Sequence, residues 1–356
     1  MKKIVKIFFG ISALLFSLSY VSYANALDIV FAEDRPDLRT LDPRITQSRH
    51  EEMLIVNIFD QLIAADSEGN HYPGLAKSWN VSSDGLEYTF NLRNDVTFHD
   101  GTKFNAAAVK ATFDSIVDPE TGSQGAVDIL GPYKETVVVD DYTAKVVFER
   151  RYGSALTAFT ETELSIVSPT ALSSLGNDGF GMAPVGTGPF MFKNWEANKK
   201  VELVRNPDYN WAPEYMDGSG PSQVANLTYR LIKDTSTRVA ALEAGEIDIA
   251  ELVPPLDMNR FDSSGDLATV AGTVSGLPYA AFLNTTVGVF QDINVRKAFF
   301  HSLDRVKMTN DLFFGYAEAA FGPISSSTPS YWKGNEDYYQ YDVAGAEALL
   351  EEAGWK

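Results

Sequence analysis

The sequence contains no cysteine and only four histidines among its 356 residues. Without cysteine the chain can form no disulfide bond, no thiolate nucleophile and no cysteine-ligated zinc site. No histidine lies in a spacing typical of metal ligands, and no nucleophile elbow or phosphate-binding loop is present. The three adjacent residues His50, Glu51 and Glu52 cannot all face one ion from a single helix. We therefore expect no enzyme activity, no cofactor and no metal bound by the protein alone.

Basic residues are also scarce. Lysine and arginine number 29 against 48 acidic residues, which gives a formal charge of −19. A nucleic-acid-binding surface needs a stripe of positive charge to displace the counterions of the phosphate backbone. The composition therefore argues against a nucleic-acid partner.

Long apolar runs are limited to the N-terminus. Residues 7–21 follow three lysines and precede Ala24-Asn25-Ala26, which has the small-x-small pattern of a cleavage site. The run is shorter than the roughly 20 residues that a membrane-spanning helix needs. We expect residues 1–26 to be a cleavable signal peptide, with cleavage after Ala26 and export to the periplasm.

The remaining sequence predicts an α/β protein. An alternating segment at 227–232, a helical segment at 234–244 and an apolar segment at 247–252 form a strand–helix–strand unit, which indicates a parallel or mixed sheet. Residues 27–32 read as a first buried strand. Ser48 with Glu51 fits a capping box at the start of a helix over 48–59. Residues 279–283 read as a further strand.

A glycine-rich segment, GTGPF at 186–190, divides the chain. Glycine lets the backbone bend and approach other segments closely, and Pro189 fixes φ. With strand-like sequence on both sides, the segment is predicted to cross between two lobes.

Several short motifs together resemble the periplasmic solute-binding proteins of the dipeptide, oligopeptide and nickel class, the extracellular solute-binding protein family 5. The motifs, in chain order, are TLDP at 40–43, PGLAKSW at 73–79, FHDGTKFNA at 98–106, GTGPF at 186–190, RNPDY at 205–209, ALEAGEID at 241–248, NVRKA at 294–298 and AEALLEEAGW at 346–355. The resemblance runs from about residue 41 to the last residue. Each motif is weak alone, and their common order carries the assignment.

The resemblance implies an α/β, periplasmic-binding-protein-like two-lobe (type II, class C) fold with an extra subdomain. Lobe I would comprise 27–46 and 186–276, the inserted subdomain 47–185, and the start of lobe II 277–356. Members of the family continue beyond the AGW motif, so we expect the second lobe to be incomplete. The segments 186–190 and 279–283 would be the two crossings.

It also implies a monomeric subunit that captures a small peptide or related solute by hinge closure and delivers it to an inner-membrane ABC permease. The expected ligand-binding residues are Glu33, Asp34, Arg35, Thr187, Gly188, Tyr279 and Asn284. Two alternatives stay open. Nickel receptors of this class bind metal through a small chelator and a histidine, which keeps His50 and His301 as candidates. The chain could also be a truncated, non-transporting product without a complete cleft.

Overall fold

The structure is a computed structural model that describes residues 27–34, 38–216, 218–265, 267–328, 331–338 and 340–355. The predicted signal peptide and Arg35 lie outside these residues. Among the described helices, none combines the length and the apolar character that crossing a bilayer requires.

Eleven strands are seen in the described residues. In chain order they are β1 Leu27–Glu33, β2 Ile63–Ala65, β3 His71–Pro73, β4 Ala76–Val81, β5 Glu87–Leu92, β6 Tyr133–Asp140, β7 Thr143–Phe148, β8 Phe190–Glu196, β9 Lys200–Arg205, β10 Val224–Leu231 and β11 Ile249–Ala250. The α-helices are α1 Arg49–Ile58, α2 Ala106–Val117, α3 Gly125–Leu130, α4 Ala155–Ala158, α5 Pro169–Met182, α6 Thr235–Glu243, α7 Pro255–Ser264, α8 Ile293–His301, α9 Arg305–Phe313 and α10 Val343–Glu352.

One mixed sheet joins the start of the chain to its middle. Its strand order is β11-β1-β10-β9-β8. β1 pairs in parallel with both β10 and β11, whereas β9 pairs antiparallel with β10 and β8. The predicted strand–helix–strand unit is therefore confirmed as β10-α6-β11. Its two strands flank β1, which takes the central position between them.

A second, antiparallel sheet has the order β4-β5-β7-β6. In β7 the side chains alternate between buried and partly buried, as expected for a strand with one face on a core. The core beneath it is aromatic: Phe159 lies 5.0 Å from Phe90 and 5.8 Å from Phe113 between ring centroids. Helix α2, whose N-cap is Asn105, contributes Phe113 to this core.

Helix α1 packs on the five-stranded sheet. Leu54 and Ile58 are fully buried and share a core with Phe180, Leu203 and Tyr229. The apolar spacing predicted for residues 48–59 is thus confirmed, and the helix has one face on the sheet. The N-terminal end of α1 lies beside the carboxyl ends of the central strands.

The described residues after 266 form helices α8, α9 and α10 and two short 3-10 helices, with no strand among them. Helices α8 and α10 begin at the caps Asp292 and Asp342, and Gly354 has the left-handed φ of 85° that ends a helix. Helix α9 begins at Arg305, and Asp304 caps it.

The strand predicted at 279–283 is wrong. The described residues there form no ladder, and both Tyr279 and Phe282 are exposed. Alternating apolar residues become a strand only where a neighbouring strand accepts their backbone hydrogen bonds. Among the described residues this segment has no such neighbour.

Candidate functional site

Two strands that end side by side bring Glu33 and Glu251 together. Glu33 is the last residue of β1, and its side chain is fully buried. β11 pairs with β1 so that Ala250 lies opposite Ala32, and the N–H of Glu251 donates to the Ala32 carbonyl at 3.0 Å. In α/β proteins, ligands bind beyond the carboxyl ends of parallel strands. This edge of the sheet is the candidate site.

His50, the second residue of α1, completes the cluster. Its Nδ1 lies 3.9 Å from Oε2 of Glu251, and one ligand atom from each of Glu33, His50 and Glu251 falls within 4.8 Å of the others. The side chains of His50 and Glu251 are 36% and 23% exposed. Glu33 is thus buried, and the other two side chains are partly exposed, although the atoms His50 Nδ1 and Glu251 Oε2 that face the cluster are themselves buried. Two carboxylates and an imidazole are suited to hold a cationic group.

Tyr229, on β10, is close enough to Glu33 to sense its charge. Its hydroxyl accepts a hydrogen bond from Asn57 at 3.1 Å and donates to the Met53 carbonyl at 3.3 Å. Burial, reinforced by the negative charge of Glu33, raises the pKa of Tyr229. The phenol thus stays protonated, and its two hydrogen bonds link α1 to β10 next to the cluster.

Arg238 on α6 holds the loop that carries Glu251. Its fully buried guanidinium donates to the carbonyls of Glu251 at 2.8 Å, Ile232 at 2.7 Å and Leu252 at 3.2 Å. These bonds join the chain after β10 to the chain after β11. Leu252 has the left-handed φ of 49°, an uncommon conformation for a residue with a branched side chain, and the Arg238 bond helps to hold it.

Glu51 anchors the polar segment that follows β1. Its carboxylate accepts hydrogen bonds from the Arg39 N–H at 2.8 Å and from the Thr46 hydroxyl at 2.7 Å. The capping box predicted for Ser48 and Glu51 is therefore wrong. The carboxylate serves the incoming segment because that segment offers donors closer than the helix end does.

A buried ion pair also stabilises the segment between β1 and α1. Arg44 and Asp42 are both inaccessible to solvent, with 2.6 Å between Nη2 and Oδ2. Arg44 also donates to Asn177 on α5, at 3.1 Å. The path from β1 to α1 is thus set by polar contacts at both ends.

The glycine-rich segment at 186–190 packs against the end of α1. A Cβ on Gly186 would lie 2.1 Å from the Ile58 carbonyl oxygen, and one on Gly188 would lie 2.6 Å from the Ile58 carbonyl carbon. The Gly188 N–H donates to the Ile58 carbonyl at 2.8 Å. His99 faces the Gly188 carbonyl, with its Nε2 at 3.0 Å, and burial lowers the pKa of His99 to about 4. The ring is therefore neutral and donates from Nε2.

Asp60, next to the glycine-rich segment, accepts hydrogen bonds from three side chains. Its carboxylate accepts hydrogen bonds from the Thr187 hydroxyl at 2.7 Å, the Trp211 indole at 2.9 Å and the Tyr209 hydroxyl at 3.1 Å. Burial raises the pKa of Asp60, and the three hydrogen bonds oppose that rise. Hydrogen bonds to Asp60 thus connect the glycine-rich segment, the segment after α1 and the turn that follows β9.

The seven residues predicted as ligand contacts occupy different surroundings. Glu33 lies in the cluster, and half-buried Asp34 follows it. Thr187 is fully buried in the Asp60 network. Tyr279 is fully exposed, and Asn284 accepts hydrogen bonds from Thr286 in a turn. Gly188 lies in the glycine-rich segment, and Arg35 lies outside the described residues.

The prediction from sequence missed Glu251 and considered His50 only as a possible chelate ligand. Glu251 lies 218 residues after Glu33, and only the pairing of β11 with β1 brings them together. The sequence carried only part of the signal. Glu33 directly follows the strand predicted at 27–32, and Glu251 lies near the end of the strand predicted at 247–252, but no pattern indicated that these two strands are neighbours.

Comparison with known proteins supports a receptor origin. The profile of the bacterial extracellular solute-binding proteins, family 5, matches residues 70–356. The glutathione-binding protein GsiB of Pectobacterium atrosepticum is 30% identical over 316 residues, which cover 89% of this chain and 59% of that protein. GsiB of Escherichia coli is 29% identical over 330 residues, covering 93% and 62%. The chain thus spans about 60% of the length of these relatives.

Solved structures agree. NikA of Brucella suis, in complex with Fe(III)-EDTA, has a TM-score of 0.77 at 26% identity and is matched over 92% of this chain and 65% of its own. DppA of Helicobacter pylori, in complex with the peptide STSA, has a TM-score of 0.73 at 27% identity, over 92% and 66%. The α/β two-lobe fold implied by the motifs is confirmed by these matches. The chain belongs to the bacterial extracellular solute-binding proteins of family 5.

Proposed function

We propose that this chain is the substrate-binding subunit of an ATP-driven importer. It is exported to the periplasm, binds a small peptide or related solute as a monomer, and delivers it to an inner-membrane permease. The observation that carries the proposal is the position of Glu33, His50 and Glu251 at the carboxyl ends of β1 and β11. Membership in the family supports the receptor role.

The charge of the cluster favours a solute with a cationic end. An ammonium group is attracted by carboxylates within about 4–6 Å, and the interaction is strong where water is partly excluded. Glu33 is buried and Glu251 only partly exposed, so the cluster offers such surroundings. Peptides and glutathione carry an α-ammonium group. Relatives described as binding glutathione or a peptide are consistent with this choice.

Hinge closure is the proposed mechanism. Residues 27–46 with 186–276 form lobe I, 47–185 the inserted subdomain and 277–356 the start of lobe II. The solute binds at the Glu33 edge, residues such as Tyr279 and Asn284 approach from the second lobe, and the bound form is shifted toward closure. The full exposure of Tyr279 is consistent with this role.

Thermal unfolding in EDTA tests the proposal. Glutathione, dipeptides and tetrapeptides are added separately, and a ligand at about 100 times its Kd stabilises the folded state by about 2.7 kcal/mol. This corresponds to a rise in Tm of roughly 5 °C. The variant Glu251→Gln is expected to lose the shift. Glu246→Gln, an exposed glutamate five residues earlier, is the matched control and should keep it.

The outcome that overturns the proposal is cooperative unfolding at one Tm whatever solute is added. A rise in Tm that is also seen in Glu251→Gln would support the receptor role but show that the solute binds outside the cluster.

The second candidate is a chain that does not transport because its ligand cleft is incomplete. The observation that favours it is the exposed apolar character of the segment after residue 266, where Val270, Tyr279 and Phe282 are at least 80% exposed. Broad, non-cooperative melting together with binding of a hydrophobic dye at neutral pH would favour this candidate over the receptor.

A further inference from the structure

The Glu33–His50–Glu251 cluster offers two chemically different ligand types, carboxylate oxygen and imidazole nitrogen. We propose that it binds a divalent first-row transition-metal cation directly through these three side chains. The proposal shares the location of the proposed function but does not require the solute to be a peptide. It departs from the expectation, drawn from sequence spacing, that the protein alone binds no metal.

Side-chain rotation can bring the three groups onto one ion. Nitrogen and oxygen ligands lie about 2.0–2.2 Å from such an ion, so two ligands at the tetrahedral angle are about 3.3–3.6 Å apart. The distance of 3.9 Å between His50 Nδ1 and Glu251 Oε2 is slightly longer than this. The widest separation in the cluster, up to 4.8 Å, needs to close by about 1.2 Å.

The side chains are placed to make that adjustment. Glu33 is fully buried at the end of a central strand, so its carboxylate has a fixed position. His50 and Glu251 are partly exposed and can rotate toward it. Arg238 holds the Glu251 main chain through its carbonyl, at 2.8 Å, and so fixes where that side chain begins. One fixed ligand and two adjustable ones suit an ion that enters from solvent.

The donor set selects the class of ion. Imidazole nitrogen suits zinc, nickel, copper and iron, whereas magnesium and calcium prefer oxygen ligands throughout. Three protein ligands leave a coordination position for water or for a group of a solute. The cluster thus resembles an open site rather than a closed structural one.

Calorimetric titration of the EDTA-treated and desalted full chain tests the proposal. Zn²⁺ and Ni²⁺ are titrated separately, with Mg²⁺ as the comparison ion and no organic solute present. We expect one Zn²⁺ or Ni²⁺ per chain and at least tenfold weaker binding of Mg²⁺. His50→Ala and Glu251→Gln are each expected to weaken binding at least tenfold. His301→Ala, on helix α8, is the matched control and should bind as the parent protein does.

Two results overturn the proposal: no saturable binding of either ion up to millimolar concentration, or unchanged affinity in both His50→Ala and Glu251→Gln. Circular dichroism of each variant establishes that it is folded before titration. Metal binding without any shift by organic solutes supports the ion site and contradicts the peptide proposal. A rise in Tm with organic solutes in EDTA, together with no metal binding, supports the peptide proposal and contradicts the ion site.

Discussion

The Thr187 hydroxyl donates a 2.7 Å hydrogen bond to the Asp60 carboxylate and so links the glycine-rich segment at 186–190 to the segment after α1. Trp211 and Tyr209 donate to the same carboxylate. One acidic side chain therefore holds together three stretches of chain that are distant in sequence.

Replacing Asp60 by asparagine is expected to lower the free energy of unfolding by about 2 kcal/mol. Asparagine has a single acceptor oxygen, so at least one of the three donors loses its partner, and the new amide N–H₂ faces other donors. Urea denaturation measures the loss. Asp208→Asn, at an exposed position in the following turn, is the control and should change stability by no more than about 0.5 kcal/mol. Equal stability of the two variants would contradict the role assigned to Asp60.

His99 is expected to make stability fall in acid. Burial lowers its pKa from the usual 6.5 to about 4, so the folded state favours the neutral ring. Its contribution is fully present above pH 6.5 and is lost as the pH falls from 6.5 toward 4, because the unfolded chain then binds a proton that the folded chain does not. Between pH 7 and pH 4 the loss is about 3 kcal/mol.

Urea denaturation at several pH values measures this loss against that of His99→Gln. Glutamine cannot titrate, and its amide can still donate to the Gly188 carbonyl. The variant should therefore lose about 3 kcal/mol less between pH 7 and pH 4 than the parent protein does. Parallel curves for the two proteins would contradict the assignment.

Gly186→Ala is expected to destabilise the protein by about 2–3 kcal/mol. The added methyl would meet the Ile58 carbonyl oxygen at 2.1 Å, and a backbone atom cannot rotate away as a flexible side chain can. Gly220→Ala is the matched control, since nothing lies within 4 Å of its Cβ position. Differential scanning calorimetry should give a clearly lower Tm for the first variant alone. Similar Tm values for the two variants would show that the backbone around Gly186 can move to accommodate a methyl group.

Arg44→Met is expected to cost about 3–5 kcal/mol, because it leaves the carboxylate of Asp42 buried without its partner. The control is Arg93→Met. Arg93 pairs with Asp95 at 2.7 Å, but Asp95 is half exposed, and surface pairs contribute about 0–1 kcal/mol. Chemical denaturation compares the two, and a loss below about 1 kcal/mol in Arg44→Met would contradict the stabilising role assigned to the buried pair.

Local patterns predicted much of the fold. The strand at 27–32, the helix over 48–59 and the strand–helix–strand unit each depend on residues close in sequence, and each is confirmed. The strand expected at Tyr279 is wrong, because a strand also needs a partner that the pattern of one segment does not reveal. The role of Glu51 was missed for the same reason, since its donors come from the preceding segment.

The candidate site was predictable only in part. Glu33 could be found because polar residues directly after a first strand of an α/β sheet face the ligand edge. Glu251 could not, since its place beside Glu33 depends on β11 returning to the far side of β1. For His50, sequence spacing excludes only an ion shared with its neighbours Glu51 and Glu52, whereas the structure brings residues from two other elements within reach.

The central position of β1 also governs when the site can form as the chain folds. Within the described residues β1 pairs with β10 and β11, which follow it by about 190 and 215 residues. Contacts between segments so far apart in sequence carry a large loop-closure cost and form slowly. Until they form, Glu33 and His50 have neither the sheet nor Glu251 beside them. The cluster that we propose as the ligand site is therefore completed only when the middle of the chain closes around its beginning.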